Sequence, residues 1–369
     1  MSSASSAKPS LELLRSLTDE HVLRALMAQE RLTRAEIAAR TGISKPTISD
    51  SVRRLSEAGL LVDTGERTTG RGRAGSYYSL ADGGGTVLVA AIAPAGVTAE
   101  AVDALGRVVA RTEAGLGRSA GPDLAAEALV AAAGRLPGRP RCAVVSAADP
   151  VDRGSGRLVR LPDAPFLVGD LDPVAVLAPL VDGPVLVDND VNWAARAERA
   201  RGCAAGVDDF VYLHLGEGLG CAVVTDGDVR RGHRGLAGEI AHLYTVGPDG
   251  AAMPLTEVFA ALGLRRKAST AIDVEALRDA TNEVRAVVAR AVCGTLAAAV
   301  ALADPALVVV GGRWGVAPAM IRAVREEFAR SPRGVPVVQA EVATPEMAGA
   351  RARAVDELRT IVIAASRPA

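Results

Sequence analysis

Residues 44–61 read SKPTISDSVRRLSEAGLL, and residues 69–80 read TGRGRAGSYYSL. Ser44 is a good N-cap, Pro46 is tolerated in a first helical turn, and Ile48, Val52 and Leu55 recur at i, i+4 and i+7 before Gly59. The spacing predicts a helix that stops at Gly59. Upstream, Thr33 stands three residues before Glu36 in a capping-box pattern, and Ile37 and Ala38 give the apolar face of a short helix ending at Gly42. Further back, Leu11, Leu14, Leu17, Val22, Leu23 and Leu26 carry helical periodicity after a small, polar stretch at 1–10. Downstream, the β-prone pieces 60–62 and 77–80 bracket GERTTGRGRAGS, which holds four Gly, three Arg and no apolar anchor: a hairpin with a basic tip. Three helices and such a hairpin make a winged helix-turn-helix, expected over residues 11–80 and bounded by DGGG at 82–85.

In that arrangement the third helix is the recognition helix, and Ser44, Lys45, Thr47, Ser49, Asp50 and Arg53 are its candidates for base edges and phosphates. Arg71 and Arg73 flank Gly72 on the wing, a spacing that lets both reach along a minor groove or its phosphates. The plainer alternatives are a solvated helix face and a mobile turn. Residues 1–80 hold 12 Lys and Arg against 9 Asp and Glu, a net of +3, and the other 289 residues carry 30 against 34, a net of −4. The whole chain is at −1, so no global field drives it onto nucleic acid or lipid; the basic excess sits with the helix-turn-helix.

The 369 residues are 49% apolar, enough for two or three folded domains and not a disordered chain. Beyond residue 86, β-prone runs alternate with Ala-rich helical ones, an α/β pattern that repeats in form after residue 210, including a long helix expected at about 273–303. Two related lobes are expected, at 86–190 with the last helix at 345–366, and at 191–344. Cys142, Cys203, Cys221 and Cys293 include no C-x-x-C pair, so neither a disulfide framework nor a cysteine zinc cage is written here. The N-terminus lacks the apolar core of a signal peptide, and the apolar runs fall short of a membrane span. A soluble cytoplasmic protein is expected.

The chain as a whole resembles the ROK family of sugar kinases and sugar-responsive repressors. The resemblance is carried by the helix and wing quoted above, DPVD at 149–152, VLVDNDVNWAARAE at 185–198, LHLGEGLGCAVVTDGDVRRGHRGLAGEIAHL at 213–243, VVVGGRWG at 308–315 and GARARAVDEL at 349–358. It implies an actin-like, two-lobed ATPase fold with a sugar between the lobes. It also implies that Asp190 matches the base that takes a proton from the sugar hydroxyl and that Asn189 bonds the sugar. Read from residues alone, Asn189 and Asp190 follow a buried-type strand and precede a helix, which is a ligand position or an Asx cap. Glu239 and His242, three apart in GEIAH, would share one face of a helical turn, and the resemblance assigns both to the sugar. Glu257 aligns with a third sugar-contacting Glu, a surface role being the alternative.

Two departures decide against catalysis. The family's zinc site uses the motif's His and three Cys shortly after it, but LYTVGPDGAAMPLTE at 243–257 has no Cys, so no metal is expected. The family's kinases hold magnesium-bound phosphates with an Asp, two Gly and a Thr at the first strand, where TVLVAAIAPAGVTA at 86–99 has no carboxylate before Glu100 and a Pro at 94. GEGLG at 216–220 remains, with Glu217 badly placed for a phosphate. The expectation is a non-enzymatic, homodimeric regulator without cofactor. It would bind a double-stranded operator and respond to a sugar or sugar phosphate; an active kinase and a ligand-blind DNA-binding scaffold are the alternatives.

Overall fold

The computed structural model describes residues 11–69, 74–117, 120–161, 164 and 166–366. Helices α1 (Leu11–Ala28), α2 (Arg34–Thr41) and α3 (Lys45–Glu57) and strands β1 (Leu32–Thr33), β2 (Leu61–Arg67) and β3 (Ser76–Leu80) form the winged helix-turn-helix, with sheet order β1-β3-β2. Its helix ends are set locally. Thr33 Oγ1 accepts from Glu36 N at 3.2 Å while Glu36 Oε2 accepts from Thr33 N at 2.8 Å, and Gly42, at φ 71°, closes α2 in the left-handed conformation. The α1–α3 contact is polar as well as apolar. Asp19, 6% exposed, accepts from Ser51 Oγ at 2.5 Å and from Arg54 Nη2 at 2.6 Å.

The first lobe holds β4 (Thr86–Ala93), β5 (Gly96–Asp103), β6 (Val108–Gly115), α4 (Pro122–Gly134), β7 (Ala143–Ala147), α5 (Pro173–Leu177) and β8 (Val185–Asn189). The second holds α6 (Asp190–Arg201), β9 (Phe210–Leu215), β10 (Leu219–Thr225), β11 (Asp228–Val229), β12 (Tyr244–Val246), β13 (Ala252–Pro254), α7 (Leu255–Ala261), α8 (Val274–Arg278), α9 (Asn282–Ala303), β14 (Leu307–Gly311), α10 (Pro318–Phe328) and β15 (Val337–Gln339). The last helix, α11 (Pro345–Ala364), returns to the first lobe. The main sheets have orders β6-β5-β4-β7-β8 and β11-β10-β9-β14-β15. In each, the first three strands are an antiparallel meander and the last two join in parallel, so the two lobes share one topology, the actin-like ATPase duplication.

One expected element differs. The helix anticipated over 273–303 is two helices, because Asp273 caps one start (Oδ1 accepts from Ala276 N, 3.1 Å) and Thr281 a second (Oγ1 accepts from Val284 N, 3.4 Å), with Thr281 itself extended. The segment expected as the boundary, 82–85, lies in a packed 3-10 turn: a Cβ on Gly84, at φ 84°, would stand 3.1 Å from the Ala104 Cβ. The second of those two helices, α9, is long and apolar enough to cross a membrane by composition alone, yet it is a core helix here, burying Val288, Val292 and Leu296.

One apolar core runs without a break from the winged domain into the first lobe. It joins Val22, Leu26, Leu55 and Leu80 to Val87, Val89, Val102 and the α11 residues Ala354, Leu358 and Val362. Polar contacts reinforce the seam: Arg359 donates to Ala104 O (3.0 Å) and Met27 O (3.3 Å), and Arg107 pairs with Glu30 at 2.9 Å. Toward its other end α11 lies against α6 so closely that a Cβ on Gly349 would stand 2.0 Å from Trp193 O. Helix α6 buries Val191, Ala194 and Ala195 against the second-lobe sheet, so it touches both lobes.

Candidate DNA interface and ligand cleft

On α3 the buried residues Ile48, Ser51, Val52 and Leu55 fix the rotation of the helix, which turns Lys45, Thr47, Asp50 and Arg53 to solvent and leaves Ser49 half-buried. Ser44 Oγ accepts from Thr47 N at 3.4 Å, and the two hydroxyls share a hydrogen bond of 2.7 Å, so the N-terminal turn is rigid and exposed. Arg53 lies 3.4 Å from Asp50 and 3.8 Å from Glu57, exposed ion pairs that a phosphate can exchange at little cost. The wing pairs Leu61↔Leu80 through Arg67↔Ser76. Arg71 and Arg73, its expected contacts, lie outside the described residues. The sequence reading missed how the wing is held: the Arg31 and Arg34 guanidiniums stack over the rings of Tyr77 and Tyr78, at 5.2 and 4.9 Å from their centroids.

Between the lobes lies a cavity of about 360 Å³, within the range of small-molecule sites. Asn189, Asp190, Glu239 and His242 all border it; Glu257 does not. Asn189 is the N-cap of α6: its Oδ1 accepts from Val191 N at 2.9 Å, and its Nδ2 donates to Asp149 O at 3.1 Å. The Asx cap is thus formed by a side chain that also borders the cavity. Burial pushes Asp190 up to about 7 from its ordinary 3.8. Behind it Asp149, 1% exposed, is pushed up to about 6 by burial and by the charge of Asp190, although Gly169 N donates to it at 2.6 Å. His214 and Glu346, neither anticipated from sequence, complete this charged corner: burial lowers His214 and raises Glu346, and each feels the other's charge.

Glu239 and His242 are not on a helix. They stand in a looped segment at 231–243, because Gly235 and Gly238 are clamped where helical backbone has no room. A Cβ on Gly235 would fall 1.9 Å from Val151 O in the first lobe, and one on Gly238, at φ 101°, 1.7 Å from Cys221 O in the second. The loop thus straps the lobes together and carries Glu239 and His242 to the cavity. Glu257 is corrected outward: it is exposed on α7 and accepts from Arg265 Nη2 at 3.0 Å, while its neighbour Thr256 borders the cavity.

Cys142 just before β7, Cys203 just after α6, Cys221 on β10 and Cys293 on α9 have their thiols pushed up to about 12 by burial, and among the described residues no group of three His, Cys, Asp or Glu gathers for a metal. The set does not fit zinc. At the first strand, Pro94 and Ala95 form a two-residue turn that offers the cavity no charge. Along GEGLG, Glu217 pairs with Arg266 at 2.5 Å, and the Phe166 ring lies 3.7 Å from where a Gly218 Cβ would be. A carboxylate and an aromatic ring line this loop where a phosphate would need cations.

A winged helix-turn-helix joined by a shared core to a duplicated α/β cleft defines the class. Residues 15–62 match the winged helix-turn-helix DNA-binding family and residues 82–352 the ROK family; the chain belongs to the ROK family. It is similar to a glucokinase of Halalkalibacterium halodurans (44% identity over 69 residues, 19% of this chain and 21% of the relative) and to a xylose repressor of Caldicellulosiruptor bescii (41% over 59 residues, 16% and 15%). The match to that glucokinase spans about a fifth of the relative's length. Among solved structures, a ROK family transcriptional regulator described as a homolog of the E. coli MLC protein superposes with TM-score 0.64 at 18% identity, covering 95% of this chain and 99% of the other. A ROK family glucokinase from Streptomyces griseus, in complex with glucose and AMPPNP, gives 0.56 at 22% identity over 73% and 99%.

Proposed function

We propose that the protein is a carbohydrate-responsive transcriptional repressor without kinase activity, acting in the cytoplasm as a homodimer on a pseudo-palindromic operator. The observation that carries this reading is the route between its two sites. Helix α11 carries, near its start, Glu346, whose charge is felt by His214 on the cleft wall and which feels that of Asp190, and it lays Leu358, Arg359 and Val362 against the winged domain. A sugar that draws the lobes together acts on α6 and hence on α11, and a coupling of about 1–3 kcal/mol suffices to change operator occupancy several-fold or more. Exposed Lys45, Thr47 and Arg53 on a fixed helix face support the DNA-reading half. The names of the curated relatives, a glucokinase and a xylose repressor among them, support carbohydrate as the ligand class.

Asp190, near 7, is a competent proton acceptor at neutral pH, which is what favours the kinase alternative. Opposing it are the uncharged Pro94 turn and the Glu217 and Phe166 lining, since phosphoryl transfer depends on neutralising phosphate charge. The test is a duplex selected from random sequence by the full chain, followed by anisotropy titration with a carbohydrate panel. Lys45→Ala with Arg53→Ala should weaken the selected duplex at least tenfold, and at least one sugar should shift the wild type several-fold without ATP being consumed. Sugar-dependent ATP turnover abolished by Asp190→Ala would overturn the reading.

A further inference from the structure

Asp188, the next-to-last residue of β8, is 3% exposed and holds two arginines that reach it from different elements. Arg196, on α6, donates from Nη1 to Oδ2 at 2.7 Å and stacks over the Trp193 ring at 4.6 Å. Trp193 is fixed in turn: its Nε1 donates to Val145 O at 3.1 Å, and its carbonyl oxygen abuts Gly349 of α11. Asn189 N, at 2.9 Å, and Asn192 Nδ2, at 2.8 Å, both donate to Oδ1. Arg231, at the start of the 231–243 strap, comes to that same oxygen differently. Its Nε stands 3.1 Å from Oδ1 without hydrogen-bonding alignment, and among the described residues its buried Nε and Nη2 have no hydrogen-bond partner. Its backbone carbonyl accepts from Ala237 N at 3.3 Å, which closes the turn that carries Gly235.

The two arms differ in kind. A charge-assisted hydrogen bond backed by a stacked ring is directional and resists displacement. An unaligned ion pair is held by Coulomb attraction, which falls off slowly with distance and depends little on angle, so it survives a small shift. At Gly235 and Gly238 the strap meets its neighbours backbone to backbone with no side chain interlocked, which leaves Arg231 to supply attraction. We propose, resting on the sensor reading above, that Asp188 is a positioning residue, an interlobe latch whose fixed arm is Arg196 and whose sliding arm is Arg231. Through Arg231 it holds the strap, and with it Glu239 and His242, at the cavity. Through Arg196 and Trp193 it passes a displacement of the strap to α6 and α11.

The test uses the full chain and reads the hold on the strap as hydrogen exchange over residues 236–243. Arg231→Met should speed exchange there about tenfold and leave α9 at the wild-type rate, while Arg231→Lys, which keeps the charge without the planar fork, should stay within about threefold of wild type. The fixed arm should not tolerate that exchange: Arg196→Lys should loosen α6 as much as Arg196→Met does, since an ammonium lacks the plane that stacks on Trp193. Asp188→Asn strands both arginines and lowers stability overall, so the arginine variants carry the test. In anisotropy titration of the selected duplex, Arg231→Met should keep operator affinity within about twofold of wild type and lose most of the shift that glucose, galactose, mannose, xylose or N-acetylglucosamine produces, and Arg231→Lys should retain it. Unchanged exchange over 236–243 in Arg231→Met, a rise spread evenly along the chain, Arg231→Lys as fast as Arg231→Met, Arg196→Lys equal to wild type, or a released strap with an intact sugar shift would overturn the proposal. A wild type that answers to no sugar while the exchange pattern holds would refute the sensor reading and leave the latch standing.

Discussion

Replacing Asp190 with Asn should flatten the pH dependence of stability, and the sign follows from its surroundings. Burial in the cleft raises this carboxyl from 3.8 in a solvated chain to about 7 in the folded protein. Between those values the folded state binds a proton that the unfolded state has released. Stability is therefore fully present below about pH 4 and is lost as pH rises through 7. The slope approaches 1.4 kcal/mol per pH unit across the middle of that window, which sums to a few kcal/mol by pH 7. At roughly 2–4 °C per kcal/mol for a domain of this size, the apparent midpoint of a ligand-free melt should drop by several degrees between pH 5 and 7. Asparagine keeps an oxygen for Val191 N, now accepted by Asp190 Oδ1 at 2.8 Å, and removes the titration. Asp149 and Glu346 contribute slopes of the same sign that shrink once the charge of Asp190 is gone, so the difference between wild type and Asp190→Asn reads Asp190 together with its coupling to these two. Scanning fluorimetry from pH 4.5 to 8 measures it. Parallel curves for the two proteins, or a wild type that gains stability toward pH 8 relative to the variant, would refute the burial argument.

Gly238→Ala should abolish ligand response and destabilise the chain by several kcal/mol, because the added Cβ would meet Cys221 O at 1.7 Å in a backbone conformation that only glycine adopts readily; chemical denaturation and the sugar titration both read this. Asp19→Ala should cost about 1–3 kcal/mol by leaving Ser51 and Arg54 without their buried acceptor, visible as a lower denaturation midpoint and, since α3 loses its brace on α1, as weaker operator binding that Asp19→Asn partly restores.

What could be read in the sequence was what is decided within a few residues. The Thr33 and Glu36 box, the Ser44 cap and the Gly42 stop are closed by atoms three or four positions apart, and their residue types are specific to those tasks. The same logic marks Thr281 as a second start inside the helix expected at 273–303, a signal hidden by the Ala-rich periodicity that runs past it. The cleft was legible only where a strand end hands directly to a helix, at Asn189 and Asp190. Glu239 and His242 reach the cavity by another path than the helical face inferred for them, since Gly235 and Gly238 are pinned by carbonyls from Val151 and Cys221, partners remote in the chain. His214 and Phe166, which border the cavity, and Glu346, whose charge reaches it, carry no local signature: packing between segments far apart in sequence brings them together.

The seam between the winged domain and the first lobe has a consequence for how such chains diversify. Val22, Leu26, Leu55 and Leu80 are buried in the same apolar body as Val87, Leu358 and Val362, so the first 80 residues are not a cassette on a tether. Cut free and fused elsewhere, they would carry a bare oily face and lose the carbonyl contacts of Arg359. The outward residues of α3 can change in place, whereas a transplant of the whole winged domain has to bring a matching α11 with it.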